Sequence, residues 1–290
     1  MANLLDLVGN TPMVELKRLN PNPATTLYAK LEGNNPGGSV KDRPALHMIR
    51  SALERGQITN GTKLIEATSG NTGIAMALMA KLFNLRIELV MPAASTRERV
   101  LTMEAFGAKV TLLDTIEDCR DYAEEKGAGG EYYLLNQFAN PDNYLAHYQS
   151  TGPEIWRDTN GLITHFVSAM GTTGTIMGTS RYLKEKKSTT QIIGCQPSEE
   201  SSIPGIRRWP QAYLPKIFDP SRVDRIMDVS QQEATEMTRR LAKEEGIFAG
   251  MSSGGAAAAA VRLSSELKAG VIVFIVCDRG DRYLSSSLFG

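Results

Sequence analysis

Residues 63–83, KLIEATSGNTGIAMALMAKLF, join a short β-rich run to a long apolar run through a polar turn that contains glycine. The apolar run, 74–83, is hydrophobic almost all round, which predicts a buried helix. The same alternation continues along the chain and predicts strands at 27–31, 63–67, 86–91, 109–113, 163–169, 191–195 and 271–277 and helices at 41–55, 74–83, 96–106, 116–126, 174–187, 231–245 and 254–266. Such alternation is typical of βαβ units, so we expect an α/β fold of mostly parallel sheets with helices on both faces.

The length and charge of the chain exclude several classes of protein. Its 290 residues suit two domains or one large α/β unit, because domains average about 150 residues. Its 32 lysines and arginines balance 32 aspartates and glutamates, whereas a nucleic-acid-binding protein normally carries a basic excess. The balance also removes any bulk attraction to an anionic membrane. We therefore expect neither nucleic acid nor a membrane as a partner.

Targeting signals and metal-ligand patterns are missing from the sequence. The N-terminal residues lack a basic segment followed by an apolar one, and no apolar run approaches the roughly 18 residues of a membrane span. Cys119, Cys195 and Cys277 form no CxxC pair, and the three histidines lack metal-ligand spacing. The sequence therefore predicts a cytoplasmic protein without a disulfide framework or a metal site.

The first of three glycine-rich segments, GNNPGGSVKDR at 33–43, contains Lys41. It departs from a phosphate-binding P-loop because Ser39 and Val40 separate the lysine from the second glycine of that pattern. An ATPase is therefore disfavoured. A turn followed by an ordinary solvated lysine remains an alternative.

The second segment is the polar turn after the predicted strand 63–67. Thr68, Ser69, Asn71 and Thr72 surround Gly70. A single polar residue suffices to cap a helix, which is the structural alternative. Four such residues at the positive end of a helix favour a site for a carboxylate or a phosphate.

The third segment, GTTGT at 171–175, has the composition and position of a phosphate cradle, with two glycines that allow close backbone approach. Near the C-terminus, GMSSGG at 250–255 precedes an alanine-rich helix, and Cys277 follows an apolar strand. Taken alone, Ser252 is an N-cap and Cys277 a small buried hydrophobe. The stretch 197–220, rich in proline, predicts an irregular excursion at the surface.

In combination, these motifs resemble a known family. GNTP at 9–12, NNPGGSVKDR at 34–43, EATSGNTG at 66–73 and GTTGT at 171–175 resemble the pyridoxal-phosphate-dependent cysteine synthases of fold type II, in register over essentially the whole chain. HFVSAMGTTGT at 165–175, SSIPGIRRWP at 201–210 and CDRGDRYLS at 277–285 are similar to the B-type members.

The resemblance implies a fold of two three-layer αβα domains with the cofactor in the cleft between them. Residues 36–142 would form a smaller mobile domain, and 1–35 with 143–290 a larger domain that binds the cofactor phosphate. It also implies a homodimer. A complex with serine acetyltransferase is associated with A-type enzymes and is not expected.

The resemblance also implies roles for individual residues. Lys41 would form the Schiff base with pyridoxal 5′-phosphate and act as the general base. The cofactor would otherwise be bound by Asn71, at its 3′-oxygen, by Ser252 and, at its phosphate, by Gly171, Thr172, Thr173, Gly174 and Thr175. The substrate carboxylate would be bound by Thr68, Ser69, Gly70, Thr72 and Gln137.

Cys277 corresponds to the serine that faces the pyridine nitrogen in A-type enzymes. A neutral thiol keeps that nitrogen protonated less well than an aspartate, which favours loss of a β leaving group over transamination. Asp278 is the rival for this place. Because adjacent strand residues point to opposite faces, only one of the two faces the ring, and we favour Cys277.

The implied reaction is β-replacement, in which O-acetyl-L-serine and sulfide give L-cysteine through an α-aminoacrylate intermediate. Thiosulfate is a further sulfur donor and would give S-sulfocysteine. Arg207 and Arg208 are candidates for binding that anion, although a solvated surface pair is an equal alternative. Other fold type II activities, such as cystathionine β-synthase and serine or threonine dehydratase, are alternatives. A nucleotide-binding oxidoreductase is disfavoured because GxGxxG is missing.

Overall fold

The computed structural model describes residues 3–68 and 70–290, which form ten strands and nine α-helices. The strands are β1 Met13–Glu15, β2 Thr25–Leu31, β3 Lys63–Ala67, β4 Arg86–Pro92, β5 Lys109–Leu113, β6 Tyr133–Leu134, β7 His165–Ala169, β8 Gln191–Pro197, β9 Arg225–Val229 and β10 Gly270–Val276. The helices are α1 Asp42–Glu54, α2 Asn71–Leu82, α3 Arg97–Ala105, α4 Ile116–Ala128, α5 Pro141–Ala146, α6 Gly152–Asp158, α7 Gly174–Lys186, α8 Gln231–Glu245 and α9 Met251–Glu266. A π-helical turn, His147–Thr151, joins α5 to α6.

The strands form two sheets. The larger has the order β1-β2-β10-β7-β8-β9 and the smaller the order β5-β4-β3-β6. Among the described residues every pairing is parallel except that of β1 with β2. The predicted α/β class with mostly parallel sheets is confirmed.

Each sheet carries apolar layers on both faces. In β10, Phe274 packs into one cluster and Val273 into another. In β3, Leu64 and Ile65 divide between two further clusters in the same way. Since successive strand residues point to opposite faces, helices cover each sheet above and below, and the two three-layer units that the resemblance implies are present.

The predicted elements are present, with ends that differ by no more than three residues. Helix α2 is buried almost all round, as its composition predicts. The sequence analysis missed β1, β6, β9, α5 and α6. Two of these strands, β1 and β6, have only three and two residues, too few for a periodicity to be visible.

The excursion that follows β8 is irregular, as predicted, apart from short 3₁₀ turns such as Gln211–Tyr213. Its expected surface position is wrong for its inner part, because Ile203 and Ile206 are fully buried in the core of the larger unit. These two side chains hold the segment against the sheet.

Within residues 3–68 and 70–290, no helix is long and apolar enough to cross a membrane. No three acidic, cysteine or histidine side chains are grouped there so that they could hold a metal ion.

A buried charge cluster explains the GNTP motif near the N-terminus. Arg43 in α1 makes two hydrogen bonds to Glu32, at 2.7 and 2.7 Å, and two to Glu154 of α6, also at 2.7 Å. The Thr11 hydroxyl donates to Glu32 at 2.6 Å, and Lys30 pairs with Glu154 at 2.8 Å. The cluster ties the N-terminal segment, the end of β2 and the start of α1 together.

Replacing Arg43 should strongly destabilise the protein. Arg43→Met leaves the buried carboxylate of Glu32 without a cationic partner and that of Glu154 with Lys30 alone. The free energy of unfolding should therefore fall by about 3–5 kcal/mol. Urea unfolding measures this loss. Arg225→Met is the matched control, because Arg225 pairs with Glu266 where both side chains are 46% exposed, and its loss should be about 1 kcal/mol or less. Equal losses in the two variants would contradict this account.

Candidate active site

A cavity lies where the two units meet, and residues of both units line it. It opens beyond the carboxyl ends of β7 and β10, the edge at which ligands bind in open α/β sheets. Ten of the residues singled out in the sequence line it: Lys41, Asn71, Thr72, Gln137, Gly171, Thr172, Thr175, Arg207, Ser252 and Cys277.

Lys41 is the residue immediately before α1. Two backbone contacts tie its loop to the larger sheet. The Val40 N–H donates to the carbonyl of Cys277 at 2.8 Å, and Ser39 forms an antiparallel bridge with Asp278. The Lys41 side chain therefore faces the cavity, and the alternative of an ordinary solvated lysine is wrong.

The surroundings of Lys41 favour a neutral amine. Burial lowers the pKa of Lys41 from its ordinary value, while Cys277 and Asp278 act in the opposite direction. A lowered pKa increases the fraction of amine that is uncharged at neutral pH. An uncharged amine can add to an aldehyde or accept a proton.

Cys277 and Asp278 follow the end of β10 and have separate roles. Cys277 lines the cavity, and burial raises the pKa of its thiol to about 11, so the thiol is neutral at pH 7. Asp278 instead accepts hydrogen bonds from Asn71 at 2.6 Å and from the Tyr283 hydroxyl at 2.7 Å. The structure thus places Cys277 on the cavity and Asp278 behind it.

Asn71 and Ser252 each begin a helix at the cavity. The Asn71 amide donates to Asp278, and its oxygen accepts from Arg282 at 2.6 Å, so its orientation is fixed. Ser252 lies inside the first turn of α9, whose N-cap is Gly250. The alternative of Ser252 as an N-cap is therefore wrong, and its side chain faces the cavity.

In the segment 171–175, residues 171–173 form the loop before α7, and Gly174 and Thr175 begin this helix of 13 residues. The first N–H groups of a helix have no intrahelical partner and attract anions. Thr173 adopts a left-handed φ of 69°, and its buried hydroxyl has no hydrogen-bond partner in the protein. A hydroxyl group at a helix N-terminus that has no partner in the protein is suited to donate a hydrogen bond to a bound phosphate.

The two glycines of this loop make room for protein atoms. A Cβ on Gly171 would lie 2.8 Å from the carbonyl oxygen of Gly205. A Cβ on Gly174 would lie 2.0 Å from the side-chain oxygen of Asn143. The predicted reason for these glycines, close approach to a phosphate, is therefore incomplete, because packing within the protein already requires both.

The polar turn after β3 contains one residue that caps a helix and another that lines the cavity. The Thr68 hydroxyl accepts the N–H groups of Gly70 and Gly73, at 3.1 and 3.0 Å, and so caps α2. Thr72 donates to Gln137 at 2.8 Å, and both of these residues line the cavity. Thr68 and Gly70 are not among the lining residues, and their contact with substrate stays a prediction. Ser69 lies outside the described residues.

Glu66 lies beneath this turn and is buried. Burial raises its pKa to about 8, although backbone hydrogen bonds from Gln137 and Asn136 act in the opposite direction. Glu66 is therefore mostly protonated at neutral pH. A neutral carboxyl group at this point does not repel an anion bound at the turn above it.

The two adjacent arginines of the excursion diverge. Arg207 lines the cavity and is partly desolvated, which lowers its pKa. Arg208 donates to the carbonyl of Pro197 at 3.0 Å and pairs with Asp228 at 2.7 Å. Arg208 is not among the residues that line the cavity, and its contact with substrate stays a prediction.

Sequence reasoning missed an aromatic and cationic wall of the cavity. Trp209 donates to the carbonyl of Gly171 at 2.7 Å and meets Phe138 edge-on, with ring centroids 5.5 Å apart. Arg99 of α3 lies 5.0 Å from the ring centroid of Tyr283. These residues come from separate segments. Trp209 and Tyr283 lie in motifs that the sequence analysis quoted, whereas Phe138 and Arg99 do not.

Comparisons with known proteins agree with this site. A model of the family described as pyridoxal-phosphate dependent enzyme matches residues 4–278. Cysteine synthase B of Pseudomonas aeruginosa is 60% identical over 289 residues, 99% of this chain and 97% of that protein. Cysteine synthase B of Escherichia coli is 54% identical over 293 aligned positions, 100% of this chain and 97% of that protein. A crystal structure of cysteine synthase from Entamoeba histolytica has a TM-score of 0.93 at 36% identity, and the match covers 100% of this chain and 90% of that one.

The chain therefore belongs to the pyridoxal-phosphate-dependent enzyme family. Its curated relatives named above are cysteine synthases. Pyridoxal phosphate is the cofactor of this enzyme, and the cavity fits it. Lys41 offers an amine for the aldehyde, and the loop before α7 offers N–H groups and the unpartnered Thr173 hydroxyl for the phosphate.

Thr173→Val should weaken cofactor binding without destabilising the cofactor-free protein. The substitution keeps the side-chain shape and removes a hydroxyl that has no partner in the protein. We expect the Kd for pyridoxal phosphate to rise about tenfold, the loss of one hydrogen bond to a charged group. Titration of the cofactor-free protein measures it.

Thr179→Val is the matched control for this experiment. The Thr179 hydroxyl is also buried and unpartnered, but it lies inside α7, whereas Thr173 is the residue at the helix N-terminus. The Kd of Thr179→Val for pyridoxal phosphate should equal that of the unsubstituted protein. A similar rise in both variants would show that helix packing, and not a phosphate contact, causes the effect.

Proposed function

We propose that this enzyme makes L-cysteine from O-acetyl-L-serine and sulfide by β-replacement. One observation carries the proposal: a lysine with a lowered pKa shares a cavity with a phosphate-binding helix N-terminus and with a polar turn suited to a carboxylate. These are the groups needed to hold an amino acid beside pyridoxal phosphate. The cysteine synthase relatives support the same reaction.

The residues of the cavity divide into three groups around the cofactor. Lys41 would hold its aldehyde carbon, the loop 171–175 its phosphate, and Asn71, Ser252 and Cys277 its ring. The bound cofactor supplies an electron-withdrawing group that acidifies the substrate's α-carbon and allows acetate to leave from the β-carbon.

Lys41 is the proton carrier of the proposal. Its partly desolvated amine can take the proton from the α-carbon and later return it. Thr72 and Gln137 face the cavity together and would orient the substrate carboxylate, which fixes the α-carbon beside the amine. Phe138 and Trp209 form an apolar wall that limits water in the site.

Cys277 would set the balance between possible reactions. With a pKa of about 11, its thiol stays neutral at pH 7 and places no negative charge near the ring. A neutral neighbour stabilises ring protonation less than a carboxylate does. This choice favours loss of the β leaving group over transamination.

Lys41→Ala should lose both the visible absorbance of the bound cofactor and all β-replacement. Without the Lys41 amine, no group links the cofactor aldehyde to the protein or takes the proton from the substrate's α-carbon. Absorbance and L-cysteine formation from O-acetylserine and sulfide measure the two losses. Lys63→Ala, at an exposed position, is the control and should retain both. Undiminished turnover in Lys41→Ala would contradict the proposal. If the unsubstituted enzyme preferred homocysteine to sulfide as the donor, it would be a cystathionine β-synthase instead.

We also propose that Arg207 binds thiosulfate when this anion replaces sulfide. A guanidinium group in a partly desolvated wall suits an oxyanion, and Arg207 lines the cavity. The product would be S-sulfocysteine.

Arg207→Gln should lower kcat/KM for thiosulfate at least tenfold, the loss of a charge-assisted hydrogen bond, and leave kcat/KM for sulfide nearly unchanged. Steady-state rates with each donor measure the difference. Arg208→Gln is the adjacent control, because Arg208 pairs with Asp228 outside the cavity, and it should affect neither donor. Equal losses for both donors in Arg207→Gln would exclude the proposed role.

Three further proposals concern the whole molecule. We propose that residues 36–142 move as a smaller domain against 1–35 and 143–290 when substrate binds. All strands of the smaller sheet lie within 63–134, which supports this division. We also propose a homodimer and a cytoplasmic location, on the resemblance to the cysteine synthases.

A further inference from the structure

Asn143 lies in α5, outside the motifs of the sequence analysis, and is buried with 2% of its surface exposed. Its side-chain nitrogen donates to the backbone carbonyl of Gln137 at 2.6 Å and to the hydroxyl of Thr172 at 3.2 Å. An amide nitrogen has two hydrogens, so these bonds use its full donor capacity.

The two partners of Asn143 belong to different parts of the site. Gln137 accepts from Thr72 through its side-chain oxygen at 2.8 Å and donates to the carbonyl of Ala67 at 2.7 Å. Thr172 belongs to the loop before α7. A continuous hydrogen-bonded path therefore runs from the polar turn, through Gln137 and Asn143, to the phosphate-binding loop.

The position of Asn143 is tightly fixed. Its side-chain oxygen occupies the space where a Cβ of residue 174 would lie, 2.0 Å away. Only glycine at 174 leaves room for this amide. Interiors packed to this density transmit displacements rather than absorb them.

We propose that Asn143 is a positioning residue that couples the carboxylate-binding turn to the phosphate-binding loop. When a substrate carboxylate engages Thr72 and Gln137, Asn143 passes the displacement of the Gln137 backbone to Thr172. The coupling is reciprocal, so that cofactor held at the loop also orders the turn. This inference rests on the proposed function, because it assigns the two ends of the path to substrate and cofactor.

Asn143→Ala removes both hydrogen bonds and should raise the KM for O-acetylserine about tenfold. The kcat should change less than about threefold, because the hydrogen-bonded path acts on substrate binding and not on proton transfer. Asn140→Ala is the matched control. Asn140 caps the same helix and bonds to Asp142 and Leu135, so its loss should destabilise α5 by the ~1 kcal/mol of a cap and leave KM unchanged.

The phosphorus NMR signal of the bound cofactor tests the coupling itself. The probe is L-serine, which carries the α-carboxylate but lacks the acetyl leaving group. In the unsubstituted holoenzyme and in Asn140→Ala, L-serine should shift the phosphate signal. In Asn143→Ala it should bind, as the visible spectrum reports, with the phosphate shift lost.

Asn143→Leu keeps the branched side-chain shape and serves if the alanine variant does not fold. Leucine has no N–H group to donate to Gln137 or Thr172, so the phosphate shift should again be lost. A full phosphate shift in either folded Asn143 variant, or equal KM changes in Asn140→Ala and Asn143→Ala, would overturn the inference. Lack of cofactor absorbance or of activity in the unsubstituted protein would instead overturn the proposed function.

Discussion

The hydrogen bond from the Val40 N–H to the carbonyl of Cys277 determines where the chemistry of this protein takes place. Val40 precedes the helix that begins the smaller unit, and Cys277 follows the central strand of the larger sheet. With the adjacent bridge between Ser39 and Asp278, this contact holds Lys41 against the larger unit. The lysine amine thus lies in the same cavity as Cys277 and the loop before α7.

The electrostatics of the cavity follow from this placement. Among the described residues that line it there is no carboxylate, whereas Lys41, Arg99 and Arg207 are basic. Two acidic groups behind the lining residues do not oppose this charge: burial raises the pKa of Glu66 to about 8, and Asp278 accepts hydrogen bonds from Asn71 and Tyr283. The site is therefore suited to two anionic groups at once, a phosphate and a carboxylate.

The sequence predicted those parts of the site that come from single strand–turn–helix units. Lys41, the polar turn and the loop 171–175 each follow a predicted strand or turn and precede a predicted helix, and local pattern reveals such places. The excursion was predicted to be irregular, but its packing against the sheet depends on Ile203 and Ile206 meeting residues far away in the chain.

Residues whose roles depend on distant contacts were not predictable from spacing. Asn143, Arg99 and Tyr283 reach the site only through the tertiary fold, and no periodicity marks them. For the same reason the sequence could not show that Thr68 caps α2, or that Gly174 makes room for an amide. Pattern predicts where a helix begins, and packing decides which side chains at its start stay available to a ligand.

The proposed covalent bond between Lys41 and the cofactor can be tested most directly by trapping it. Borohydride reduction of the holoenzyme, followed by proteolysis and mass spectrometry, locates the amine that carries the cofactor. The account predicts a pyridoxyl phosphate group on the peptide that contains Lys41 and on no other peptide. A group on a different lysine, or no modified peptide from a protein that is active, would contradict it.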